Sequence, residues 1–208
     1  MNKKINRIIS VLLVISMLLS FAACGASDSK PEAVVKTFCE SLKKFDLESM
    51  AKCFEITEDF DWDSLIGSEE EMGSELYDML KTYAKSVDYS VGSANIDGDT
   101  AAVNVDFKYY DISPAIAEAT GNYVSQLFSM AFSGKSYSEA ELAKMVADEF
   151  AAALKTNPPE KQSVSAELKC KKVDSAWKLT FVGEEVLNVL TSNMAATLEE
   201  MGGSLSGF

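Results

Sequence analysis

Hydrophobic residues recur three and four positions apart in the first part of the chain. Over residues 31–45 this spacing places an apolar stripe on one face of a helix, made of Val34, Val35, Phe38, Leu42 and Phe45. The pattern Ser29-x-x-Glu32 predicts a capping box at its start. Asp46 is predicted to cap a second, short helix, and Ser68-x-x-Glu71 a third.

The apolar spacing changes to every second residue after residue 86. Val87, Tyr89 and Val91 alternate with polar residues, and Asp97-Gly98 is a hairpin signal. A return strand is predicted over residues 101–109. A second hairpin follows over residues 164–181, with its turn near Asp174-Ser175 and Phe181 as the last inward position.

Helical spacing returns between the two hairpins and after them. One helix is predicted from Pro114 to about Phe132, with Gly121 as a candidate break, and the next starts at the capping box Ser138-x-x-Glu141. A last helix follows the second hairpin and is predicted to end at Gly202-Gly203. The stretch Met130-Ala131-Phe132 and the face from Met194 to Met201 are either core or line an apolar pocket or partner surface.

This order of elements predicts an α+β fold. The N-terminal helices pack on a curved antiparallel sheet made of two hairpins, with a two-helix insertion and a C-terminal helix. We expect a single domain over residues 31–203 and a tail over 204–208.

The first residues have the features of a secretory signal. Lys3, Lys4 and Arg7 precede an apolar run from Ile8 to Phe21. An uncleaved membrane anchor is the alternative, but the run is shorter than the ~20 residues that a spanning helix needs.

The end of this run, Phe21-Ala22-Ala23-Cys24, resembles the lipobox of bacterial lipoproteins. The resemblance implies cleavage after residue 23 and a diacylglyceryl group on the sulfur of Cys24. Residues 1–23 would then be the signal peptide and 24–30 the lipidated cysteine with a short tether. It also implies a protein held by lipid on the extracytoplasmic face of the cell membrane.

Charge and composition exclude several classes of function. The 208 residues contain 32 acidic and 19 basic residues, a net charge of −13, so nucleic acid is excluded as a partner. The chain has no histidine, and Arg7 is its only arginine. Catalysis by Ser-His-Asp or Cys-His groups is therefore excluded.

The chain has three cysteines after Cys24. If it reverses at Asp46, Cys39 and Cys53 lie at one height on two antiparallel helices, and theirs is the one disulfide bridge that this arrangement allows. The alternative is that both, with Cys170, are buried thiols.

Two regions are similar to nuclear transport factor 2-like (cystatin-like) domains. The segment PEAVVKTFCESLKKFDLESMAKCF looks like their opening helices, and VGSANIDGDTAAVNVDFKYYD and KKVDSAWKLTF resemble their strands. Many Gram-positive lipoproteins of unknown function share this plan. The resemblance implies binding of small molecules, isomerase or dehydratase activity, or protein contacts, and the insertion Pro114–Lys155 departs from the minimal family pattern.

An acidic segment matches the ligand spacing of an EF-hand calcium loop. Its candidate ligands are Asp59, Asp61, Asp63 and Glu70. Ser64 stands where that loop needs glycine, so a solvated acidic loop is the alternative.

The sequence favours a non-enzymatic, membrane-anchored protein that binds a small ligand, an envelope component or a partner protein. One alternative is a calcium-dependent binding module that uses the 59–70 loop. Another is a small-molecule lyase or isomerase, for which Tyr109, Tyr110 and Asp111 are the nearest candidate groups. No catalytic residue is assigned, and calcium is the one candidate cofactor.

Calcium-dependent unfolding separates the first two interpretations. If the loop binds calcium, millimolar calcium should raise the melting temperature of residues 25–208 above its value in EDTA by roughly 5 °C, because ligand binding stabilises the folded state. Asp61→Ala should remove that rise. Equal melting temperatures in calcium and EDTA would identify a solvated acidic loop.

Overall fold

One antiparallel sheet organises the fold. In a computed structural model, residues 30–55, 69, 73–133 and 137–205 are described. The strands lie in the order β1-β2-β3-β4, and their bounds are β1 Asp88–Asp97, β2 Thr100–Asp111, β3 Glu160–Val173 and β4 Ala176–Leu179. The two predicted hairpins therefore join into one sheet through β2 and β3.

Alternation along β2 and β3 gives the sheet one buried face. Val103 pairs with Leu168 and Val105 with Ala166, and all four side chains are buried. Gly98 supplies the positive φ of 59° at the β1–β2 turn, where a residue with a Cβ would be strained.

Three helices from the N-terminal part cover this buried face: α1 Pro31–Lys44, α2 Leu47–Ala51 and α3 Ser74–Lys85. Phe38 of α1 is fully buried and meets Phe54 edge-on, with 5.6 Å between ring centroids. The Asp46 cap is confirmed, since its carboxylate accepts a hydrogen bond from the Ser49 N–H at 3.0 Å. Ser68, Glu71 and Ser29 lie outside the described residues.

Glu32 holds the start of α1 to the sheet. Its carboxylate accepts a hydrogen bond from the Ala94 N–H of β1 at 3.0 Å, beside an irregularity in the β1–β2 register between Val91 and Ala94. This bond from a backbone N–H lowers the pKa of Glu32. α1 has Lys30 at its N-cap position without a side-chain cap.

The two-helix insertion is a helical hairpin, α4 Ser113–Ser133 and α5 Glu139–Thr156. The predicted capping box is confirmed, because Ser138 and Glu141 bond reciprocally, at 3.3 Å and 2.8 Å. The prediction that Gly121 breaks the first helix is wrong, since α4 runs through it.

The C-terminal region contains two helices rather than the predicted one: α6 Glu184–Thr191 and α7 Met194–Leu205. Ser192 and Asn193 take left-handed φ values of 54° and 66° between them. The break is held in place because the Ile112 N–H donates to the Ser192 carbonyl at 3.1 Å. The Tyr109 hydroxyl also donates to Asn193 Oδ1 at 2.9 Å. α7 includes both Gly202 and Gly203, where the sequence predicted an end.

The last strand is shorter than predicted. β4 ends at Leu179, and the Thr180 N–H donates to the Lys169 carbonyl at 3.0 Å. Phe181 is 67% exposed instead of facing inward. With these corrections, the predicted α+β class and its single curved sheet are confirmed.

Removing the Phe38 side chain should strongly destabilise the fold. We expect Phe38→Ala to lower the free energy of unfolding by about 3–5 kcal/mol, because it leaves a cavity between helix and sheet. Phe181→Ala, at an exposed position, should change it by no more than ~0.5 kcal/mol. Urea unfolding of both variants measures the difference, and equal losses would contradict the assigned core.

The Glu32–Ala94 hydrogen bond should make the stability of the fold depend on pH. Because the folded-state pKa lies below the ordinary value of 4.5, the ionised carboxylate stabilises the fold above that pH. The stabilisation is lost as the pH falls through the lowered pKa. Melting temperatures from pH 7 to pH 3 should therefore fall more steeply for the wild type than for Glu32→Gln, which does not titrate. Parallel curves of melting temperature against pH would show that the ionisation of Glu32 does not contribute to the stability of the fold.

Candidate functional site

Among the described residues, no helix layer covers the second face of the sheet. The β2 positions facing that side alternate with the buried ones and are mostly polar. They are Thr100, Ala102, Asn104, Asp106, Lys108 and Tyr110. This open face continues onto β3, where exposed residues from Lys161 to Lys171 pair with them.

A groove of about 540 Å³ lies on this open face, at the end away from the β1–β2 turn. Three neighbouring strands contribute its polar side chains, which are Asp88, Ser90, Asp106, Lys108, Ser163 and Ser165. The register explains the cluster, because Lys108 pairs with Asp88 on one side and with Ser163 on the other. Asp106 pairs likewise with Ser90 and Ser165.

The charges of the groove are partly paired. Asp88 lies 3.7 Å from Lys43 Nζ of α1 and 3.8 Å from Lys161 Nζ of β3. The hydroxyl of Ser165 donates a hydrogen bond to Asp106. Both ion pairs are exposed, so each contributes little to the stability of the fold.

This arrangement offers hydrogen-bond donors and acceptors close together on one surface of the sheet. Carboxylates accept, the Lys108 ammonium donates, and serine hydroxyls do both. A ligand with several hydroxyl or amide groups can bind such a surface, because each of its polar groups can form a hydrogen bond with a side chain.

The three candidate catalytic groups are divided between the two faces of the sheet. Tyr109 is buried and bonded to Asn193, and burial raises the pKa of its hydroxyl. Tyr110 is half-buried on the open face, where its ring lies 6.1 Å from that of Tyr83. Asp111 accepts hydrogen bonds from the Ser113 N–H at 2.8 Å and from its hydroxyl at 2.5 Å. Each group therefore has a structural partner, and none of the three lines the groove.

The three described cysteines are thiols, and all three are buried. Burial raises the pKa of Cys39 to about 12 and that of Cys170 to about 11. The Cys53 thiol donates to the Ser49 carbonyl at 3.4 Å. Such thiols react slowly because the thiolate is disfavoured, and the Cys39–Cys53 disulfide stays a prediction.

Several predicted site residues lie outside the described residues. They are the lipidation residue Cys24 and the candidate calcium ligands Asp59, Asp61, Asp63 and Glu70. Within the described part of the chain, three or more potential metal ligands do not come together at any point. Across these same ranges, none of the helices has the length and apolar character that a membrane span requires.

A second hollow, of about 510 Å³, lies at the C-terminal ends of α1 and α3 and is lined by Glu40, Lys43, Lys44 and Lys85. Lysines near helix C-termini compensate the partial negative charge of the helix end. Lys43 also pairs with Asp88, so this basic hollow adjoins the groove.

The groove residues were not predicted from the sequence. Their signal was present, since they are the polar positions of alternating strands. The alternation does not determine the strand register, and it is the register that brings Asp88, Lys108 and Ser163 side by side across three strands.

Comparisons with known proteins assign no family to the chain. No protein-family model matches it, and no curated protein matches it. Among solved structures, it is similar to the crystal structure of a putative lipoprotein, YcdA, from Bacillus subtilis, with 16% sequence identity and a TM-score of 0.33. The match covers 71% of this chain and 55% of that one, so the chain spans about half the length of YcdA.

Proposed function

We propose that this protein is a lipid-anchored, extracytoplasmic binding protein without catalytic activity. Its ligand is a hydroxyl-rich component of the cell envelope, such as a glycan, held in the groove on the open sheet face. The observation that carries the proposal is the convergence of Asp88, Asp106 and Lys108 with three serines on adjacent strands. The anchor rests on the sequence Phe21-Ala22-Ala23-Cys24.

The orientation of α1 supports this arrangement. Glu32 bonds to Ala94 near the β1–β2 turn, whereas Lys43 approaches Asp88 at the other end of β1. α1 therefore runs along β1, and its first residues lie at the turn end. A lipid on Cys24 would hold that end close to the membrane and leave the groove directed towards the envelope.

The resemblance to nuclear transport factor 2-like domains supports a binding role of this kind. Proteins of that family bind small molecules or mediate contacts as well as catalyse reactions, so fold alone does not decide between these roles. Here the candidate acid and base groups Tyr109 and Asp111 have structural partners, Asn193 and Ser113. The binding role needs only the groove.

Replacing a groove carboxylate should weaken ligand binding. We expect Asp106→Asn to lower the affinity for soluble fragments of purified cell-wall glycan about tenfold or more, because a hydrogen bond to a charged group contributes ~1.5–3 kcal/mol. Isothermal titration calorimetry measures this change.

Glu167→Gln is the matched control. Glu167 is an exposed β3 residue opposite Asn104, outside the groove lining, and its loss should leave the affinity unchanged. Equal effects of both variants would place binding elsewhere, and wild-type protein that does not bind the glycan fragments would exclude this ligand class.

A further inference from the structure

The helical hairpin is buried at its base and exposed towards its tip. Ala115, Ile116 and Ala119 at the start of α4 are buried, whereas Phe128 is 65% exposed and Phe132 is 90% exposed. α5 packs against α4, and α4 in turn also contacts α7. The second half of α4 therefore carries a large apolar surface to which the described part of the chain adds no further layer.

Four of the exposed positions of α4 lie on one face of the helix. Gly121, Ser125, Phe128 and Phe132 are spaced by four, three and four residues, which places them on a single stripe of a helix. We call these four residues the outer face of α4. Gln126 lies on the opposite side, where its side-chain amide donates to Glu149 of α5.

Covering the outer face with another protein surface costs little desolvation free energy. The Ser125 hydroxyl donates to the Gly121 carbonyl at 2.8 Å, and the neighbouring Ser129 hydroxyl donates to the Ser125 carbonyl at 3.1 Å. Glu118 is the one charged residue in the sequence of α4. Covering this face therefore leaves few polar groups buried without a hydrogen-bond partner, because the serine hydroxyls are already bonded within α4.

The shape of the outer face is self-complementary. One half carries the small residues Gly121 and Ser125, and the other half carries the large residues Phe128 and Phe132. In an antiparallel pair of identical helices related by a two-fold axis, Phe132 lies opposite Gly121 and Phe128 lies opposite Ser125. A parallel pair would instead place phenylalanine against phenylalanine and leave a gap between the glycines.

We propose that the outer face of α4 binds a second copy of this chain, with the two α4 helices antiparallel across a two-fold axis. Such an isologous interface needs one patch that fits itself, and large residues opposite small ones satisfy that condition. The two hairpins then form a four-helix arrangement in which the α4 helices are central and the α5 helices are outside.

Charge favours a second copy over a lipid surface. The chain has a net charge of −13, so most of its surface repels a copy of itself, but α4 contains one charged residue in its full length. Helices that lie on membranes carry lysine or arginine on their polar face, and α4 has neither.

The exposed area indicates a weak dimer. Phe128 and Phe132 together expose roughly 300 Å², taking ~200 Å² for one aromatic side chain. Two copies bury twice that area from these residues, about half of the ~1,200 Å² of a small specific interface. The smaller residues of the two faces add to it, so the pair forms where the local concentration is high.

Site-directed cross-linking of the full chain in intact cells tests the proposal. Ser125→Cys places a thiol next to the two-fold axis, and a short bis-maleimide should then join two copies into a band of twice the mass. Cys39, Cys53 and Cys170 are buried, and the wild-type chain measures any background. Ser74→Cys, at an exposed serine of α3, is the matched control and should give at least tenfold less dimer.

A second substitution tests the packing itself. A Cβ built at Gly121 meets no atom within 4 Å, so Gly121→Leu should be accommodated in the single chain but should fill the space that Phe132 of the other copy needs. In the Ser125→Cys background it should abolish the cross-linked dimer, whereas Phe181→Glu, at an exposed phenylalanine elsewhere, should leave it unchanged.

Three results would overturn the proposal. Cross-linking of Ser125→Cys at the level of Ser74→Cys would show that copies do not meet at α4. A dimer that persists in Gly121→Leu would show that the outer face does not carry the contact. A cross-linked band of another mass would assign the face to a different protein. This inference does not depend on the ligand proposed for the groove.

Discussion

The structure depends on the burial of a single face of its sheet. Val103, Val105 and Phe107 of β2 pack inward beneath a helix layer in which Phe38 and Leu42 are fully buried. Antiparallel sheets can leave the other face to water, because alternate side chains point to opposite sides. The same alternation that builds the core therefore also builds an ordered polar surface on the opposite face.

Two contacts fix the orientation of α1 on the sheet. Glu32 holds the first turn of α1 against Ala94, and Lys43 at the last turn lies near Asp88. α1 thus begins beside the β1–β2 turn, and the groove lies at the opposite end of the sheet. For a protein proposed to be held by a lipid on Cys24, this separation matters, because it leaves the groove accessible from the envelope side.

The groove end of the sheet is also where the helical hairpin leaves the body. Ile112 bonds to Ser192, and Tyr109 bonds to Asn193, so the end of β2 is joined to the break between α6 and α7. The base of α4 packs there, and burial decreases along the helix until Phe132 is almost fully exposed. A polar surface and an apolar surface therefore lie towards one end of the molecule, and they suit different occupants. We propose a hydroxyl-rich ligand for the groove and the α4 helix of a second copy for the outer face.

The sequence by itself determined the fold class, because each element carries a local signal. Asp97-Gly98 and the alternation in β2 specify the first hairpin, and Ser138 with Glu141 specifies the start of α5. It also excluded histidine-based chemistry, and it carries the proposed anchor at Cys24. Where a local signal competed with a distant contact, the sequence interpretation was wrong. Gly121 does not break α4. The predicted C-terminal helix divides at Ser192 and Asn193, which bond to residues at and just after the end of β2.

Only the tertiary structure decided where polar and apolar surfaces meet solvent. Asp88, Lys108 and Ser163 are far apart along the chain and become neighbours through strand register, which depends on the packing of the whole buried face. Phe128 and Phe132 have the spacing of core residues, and a helix pattern alone cannot show whether a further layer covers them. Burial is a property of the assembled fold, since it depends on which elements come to lie on each side of a helix.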